Sequence, residues 1–77
     1  MKILSRKKII KMSLICYDLS NDKKMDTILD FLIKHKIEMK HIINLIAPML
    51  DWMELDDLER MCLNDLYDYI YPKCYEK

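Results

Sequence analysis

Residues 25–36 read Met25-Asp26-Thr27-Ile28-Leu29-Asp30-Phe31-Leu32-Ile33-Lys34-His35-Lys36. Met25, Ile28, Leu29, Leu32 and Ile33 stand at i, i+3, i+4, i+7 and i+8, the repeat that gathers apolar side chains on one side of an α-helix. Asp26 lies in the first turn and Lys34 and Lys36 in the last, where each charge complements the helix dipole. Ser20-Asn21-Asp22 supplies N-cap side chains just upstream. The segment is therefore a helix whose apolar face demands a cover, and the rest of the chain is read for what provides it.

Downstream, Met39, Ile42, Ile43 and Ile46 predict a helix from Glu38 to about Ala47, stopped or kinked by Pro48, which has no N–H to donate. Asp51 and Glu54 sit three apart like a capping box and would open a last helix. Leu55, Leu58, Cys62, Leu66 and Tyr69 mark its stripe, Met61 and Ile70 broaden it, and Pro72 lies just past its end. Upstream, Lys2–Leu19 is ambiguous: Ile3, Ile10, Leu14 and Tyr17 fit one helical stripe, yet Ile9–Leu19 is rich enough in Ile and Tyr for a strand. A lone strand would have no partner, so helix is expected. Met12 offers an alternative start that would make the first eleven residues a dispensable basic arm. The expectation is an all-α bundle of three to four short helices in one domain, with a basic segment at 1–21, a helical core at 22–72 and a tail at 73–77, and with self-association as a further expectation.

Composition narrows function by exclusion. The 77 residues contain no glycine, so no phosphate-cradling loop, dinucleotide fingerprint or nucleophile elbow can form, and tight hairpin turns are disfavoured. A chain of this length buries only about 60% of its unfolded surface, and a deep cleft would compete with the core for the same side chains. Val and Gln are also absent and Ala occurs once, against abundant Ile, Lys, Leu and Asp. That skew matches AT-rich coding DNA, as in many viruses, phages, plasmids and low-GC bacteria. Cys16, Cys62 and Cys74 form no C-x-x-C pair, and an odd number of thiols suits a reducing compartment; with no apolar run long enough for a membrane span or a signal core, a cytoplasmic protein is expected, in its own cell or in a host.

Charge is zero overall but unevenly spread. Residues 1–48 carry ten Lys or Arg against five acids, giving +5, and residues 49–77 carry three against eight, giving −5. Lys2, Arg6, Lys7, Lys8 and Lys11 form a basic patch that could neutralise phosphates, but one arginine and one aromatic, Tyr17, do not make a base-reading surface; contact with nucleic acid is expected to be weak and non-specific, if the patch is more than a solvated arm. Asp51, Trp52, Met53, Glu54, Asp56, Asp57 and Glu59 form the acidic counterpart. Acids are favoured in the first turn of a helix without any further role. With Trp52 and Met53 among them, they also read as a docking face for a larger protein, charge steering encounter and the apolar anchors holding it, although a Trp in so small a chain is more often a core plug.

No catalytic residues, metal site or cofactor are expected. His35 and His41 have no cysteine at ligand spacing, and nothing nominates a nucleophile with its base. Tyr67, Tyr69 and Tyr71 alternate around a helix end, which puts at least one ring outward. Seven methionines suit adaptable surfaces as well as irregular cores.

One family shares part of this pattern. Asp26-Thr27-Ile28, Lys34, Lys36, Glu38 and Met39, then Leu58, Met61, Asn64, Leu66-Tyr67-Asp68 and Ile70, resemble the D-T-L and N-K-L-Y-D-K-I-P segments of the Hha/YmoA family of small nucleoid-associated modulators, over roughly residues 25–72. The family's basic first helix and its partner-gripping aspartate have no clear counterpart here. The resemblance implies an all-α protein that modulates transcription by docking on a DNA-organising partner, with Asp56, Asp57 and Glu59 nearest to the acidic contact. Residues and resemblance together give the expectation of a non-enzymatic binding modulator that docks on a larger partner, in its finer form a regulator of a DNA-bound complex. The alternative is a viral or phage inhibitor of a host or defence protein that exposes its Met, Trp and Tyr surface.

Overall fold

The computed structural model describes residues 5–75, and among them there are four helices and no strand: α1 (Arg6–Tyr17), α2 (Asn21–His35), α3 (Met39–Trp52) and α4 (Asp57–Tyr75). The all-α expectation holds. α4 is the spine, with α1 and α3 laid against it and α2 packed on the outer side of α1. Ile9, Ile10, Met12 and Cys16 of α1, Ile42, Ile43, Ile46 and Met49 of α3, and Leu63, Leu66 and Ile70 of α4 meet in one core, to which α2 adds Ile28.

The opening segment is a helix and belongs to the core. Ser5 caps it, its hydroxyl accepting from the Lys7 N–H at 3.2 Å. Its buried row is Ile9, Met12, Ser13 and Cys16 with Ile10 beside it, not the row of Ile10, Leu14 and Tyr17; Tyr17 is exposed. Ser13 is tolerated inside because its hydroxyl donates to the Ile10 carbonyl at 2.6 Å, so no polar atom is stranded. Ile3 and Lys2 lie outside the described residues. Because Ile9 and Ile10 are buried, residues 5–11 belong to the fold and are not a dispensable arm.

α2 is turned on its axis from the expected face. Ile28 is buried, with Phe31, Leu32 and His35 half-buried around it, while Leu29 is 42% and Ile33 75% exposed. The demand for a cover is thus met only in part, since one neighbouring helix cannot cover so wide an apolar stripe. Without glycine, α2 ends on Lys36, held in the left-handed region at φ 55°, ψ 49°. The Ile37 N–H donates to the Leu32 carbonyl at 3.1 Å and the Lys36 N–H to the Ile33 carbonyl at 3.3 Å, the two bonds of a Schellman motif.

Neither proline ends its helix. α3 passes through Pro48 to Trp52, and α4 passes through Pro72 to Tyr75. Pro48 and Asn44, whose carbonyl it leaves without a helical donor, are both on the exposed side, where water can satisfy the carbonyl; Met49, buried one residue later, holds the helix together past the break. Residues 73–75 are accordingly helix, with Cys74 packed against the core, and not tail. The capping box also lies elsewhere. Asp56 and Glu59 make it, the Glu59 N–H donating to Asp56 Oδ1 at 2.7 Å and the Asp56 N–H to Glu59 Oε1 at 3.2 Å, while Asp51 is inside α3 and Glu54 in the turn. A second box opens α3, where His41 Nδ1 accepts from the Glu38 N–H at 3.0 Å.

Candidate functional site

With four helices spending their apolar faces on one core, the informative side chains are those left outside. The foremost is Trp52. Once α3 continues past Pro48, the residue that returns to the core one turn after Met49 is Met53, which is half-buried and donates its N–H to the Met49 carbonyl at 3.1 Å. Trp52, one position earlier, is carried outward and is 86% exposed. It is not a core plug.

Trp52 and Met53 line a hollow of about 420 Å³ with Pro48, Met49 and Arg6. The corner is braced from below: Arg60 Nη1 donates to the Leu50 carbonyl at 2.9 Å, placing a cation on the C-terminal end of α3 and tying it to the first turns of α4. The acidic residues divide at this corner. Asp51, Glu54 and Asp57 are exposed and free to meet a partner, whereas Asp56 and Glu59 are engaged in capping α4. Asp56, Asp57 and Glu59 are thus not equivalent members of one docking face.

The basic patch divides too. Lys7, Lys8 and Lys11 share the outer side of α1, but Arg6 faces the Trp52 hollow. Lys8 and Lys11 face Lys34 of α2 across a groove of about 370 Å³ whose lining also includes Met12, Ile15, Phe31, Thr27, Asp30 and His35. Sequence reading missed this groove. Lys34 was explained by the dipole of its own helix, and only the packing of α2 on α1 brings it opposite Lys8 and Lys11. No family model, curated protein or solved structure matches the chain. The Hha/YmoA resemblance therefore rests on its quoted residues alone, which lie on α2, in the connection from α2 to α3, at the start of α3 and on α4.

The remaining nominees have local employment. His41 caps α3, and the His35 ring lies 4.4 Å from that of Phe31. Among the described residues, no group of three or more His, Cys, Asp or Glu side chains could hold a metal ion, and no helix is long and apolar enough to cross a membrane. Burial pushes the thiols of Cys16, Cys62 and Cys74 up from their ordinary value; Asp18, Asp65 and Asp56 add to the effect at Cys62, and Lys24 and Lys40 oppose it at Cys16 and Cys74. Such thiols stay protonated at neutral pH and are poor nucleophiles. The tyrosines form a ladder, Tyr67 on Tyr71 at 5.4 Å and Tyr71 on Tyr75 at 4.8 Å between centroids. Tyr69 points the other way, donating to the Asn21 carbonyl at 2.9 Å with Lys73 4.2 Å over its ring.

Proposed function

We propose that the chain is a non-catalytic binding module that docks on a larger protein through the corner between α3 and α4, with Trp52 as the anchor and Asp51, Glu54 and Asp57 as its charged rim. The exposure of Trp52 carries this reading. A small domain has few large apolar side chains to spare, and a bare indole on a braced corner, beside an apolar hollow, has the composition of an interface hot spot surrounded by steering charge.

The test is a comparative capture from the native or host cell, with the wild-type chain, Trp52→Ala and Asp51→Lys/Glu54→Lys as baits and mass spectrometry as the readout. A partner retained by wild type and lost from both variants, each still helical by circular dichroism, supports the proposal. Equal recovery by all three baits removes the corner from consideration.

The finer reading, a regulator of a DNA-bound complex, draws support from Lys7, Lys8 and Lys11 sharing one exposed side of α1. It predicts salt-dependent binding to generic duplex DNA with a log–log slope near −3, for about three phosphates. Absence of binding at low salt would leave inhibition of a host or defence protein as the better reading.

A further inference from the structure

The groove between α1 and α2 and the outer side of α4 are opposite in charge and alike in being partly apolar. The groove has Met12, Ile15 and Phe31 along it and is rimmed by Lys8, Lys11 and Lys34, with Asp30 as its one acid. On α4, Asp57, Met61, Asp65 and Asp68 stand at i, i+4, i+8 and i+11 on one stripe, with Asp65 already paired to Lys24 Nζ of α2 at 3.2 Å, so that Asp57 and Asp68 carry its open charge. Leu58 beside them is 53% and Met61 45% exposed. Tyr17 joins this ridge from α1, its hydroxyl 3.6 Å from Met61 Sδ, and Asp18 follows it. No residue of the ridge lines the groove.

We infer that the chain self-associates, the basic groove of one copy receiving the acidic, apolar ridge of α4 from a second copy. The apolar residues on both surfaces supply the area to be buried. The lysines and aspartates fix the pairing and disfavour groove on groove or ridge on ridge. A net charge of zero removes the overall repulsion that keeps many small domains apart. Where both contacts form at once, each copy contributes its groove and its ridge to a closed pair. The inference does not depend on Trp52, which lies in neither surface, although Asp57 belongs both to the rim of that corner and to the ridge.

Sedimentation velocity of the full chain over a wide concentration range at low salt is the first measurement. Mass should rise above the monomer with concentration, and association should weaken about tenfold or more in high salt. Two charge-reversed variants then make the test specific. Lys8→Glu/Lys11→Glu gives an acidic groove beside an acidic ridge, and Asp18→Lys/Asp68→Lys leaves two lysines against Asp57, since Asp65 is paired with Lys24, giving a basic ridge beside a basic groove, so each alone should be monomeric. Mixed, they are complementary and should form a heteromer. Ile15→Asp, at a half-exposed groove position, should weaken association by about tenfold without charge reversal, which keeps the test decisive if a double variant fails to fold. A wild-type chain that stays monomeric throughout overturns the inference and leaves the groove to an acidic segment of a different protein. Association that survives every reversal, or folded variants that remain monomeric when mixed, overturns it equally.

Discussion

Lys36 holds a conformation that side chains with a Cβ adopt at a cost of about 1–2 kcal/mol, because α2 must end in a chain that has no glycine to offer. The Schellman bonds from Lys36 and Ile37 repay part of that cost by satisfying two carbonyls. Lys36→Gly should therefore stabilise the domain by about 1 kcal/mol, after allowing for the greater freedom of glycine in the unfolded chain, and raise Tm by roughly 4–8 °C. Lys36→Ala keeps the Cβ and loses a cation favourable at a helix end, so it should give no gain. Thermal denaturation of the two variants separates backbone conformation from side-chain charge; an equal gain from both would show that φ is not the issue. That helices had to stop without glycine was legible in the sequence. Which residue would take the left-handed turn was not, because the motif is completed by carbonyls several residues upstream and not by the side chain at the turn.

Element boundaries were read well where a charge or cap acts locally and poorly where packing outvotes it. The apolar spacing of α3 was legible, but its end was not: Pro48 lowers helix propensity on its own, and only the burial of Met49 shows that tertiary contact carries the helix onward. The same competition moved the capping box. Asp51/Glu54 and Asp56/Glu59 have identical spacing, and α3's extension to Trp52 leaves only the second pair at a helix start. Asp56→Ala should cost about 1 kcal/mol of stability, lowering Tm by roughly 4–8 °C, while Asp51→Ala should stay within about 0.5 kcal/mol of wild type. Matching losses at the two positions would contradict this assignment. The division also affects how a docking face is probed: reversing Asp56 or Glu59 disturbs the start of α4, whereas Asp51 and Glu54 can be reversed with the helix intact. Trp52 was named from sequence as either core or anchor, and its exposure follows from the same extension of α3 by one turn.

Across the molecule, the principal packing joins α1 to α4, with α3 laid against both. α2, whose periodicity was the clearest in the sequence, is the most peripheral helix, with one buried residue; a strong amphipathic pattern tells that a face is apolar, not how much of it a neighbour will cover. The ambiguous opening segment is the one the fold cannot spare. A chain started at Met12 would lack Ile9 and Ile10, which are 0% and 8% exposed, along with the Ser5 cap and the first turns of α1. Removing a buried isoleucine side chain costs about 2–5 kcal/mol, and a domain of this size has a total stability on the order of 4–12 kcal/mol. Two such losses, with half of α1 gone, are comparable to the whole. The chain beginning at Met12 should accordingly lose its cooperative thermal transition and most of its helical circular dichroism, whereas Lys7→Ala/Lys11→Ala, which removes basic charge from exposed positions and leaves both isoleucines in place, should melt within a few degrees of wild type. A cooperative melt from the shortened chain at the wild-type temperature would mean that α1 before Met12 is an arm after all, and that the contact between α1 and α4 is not what closes the fold.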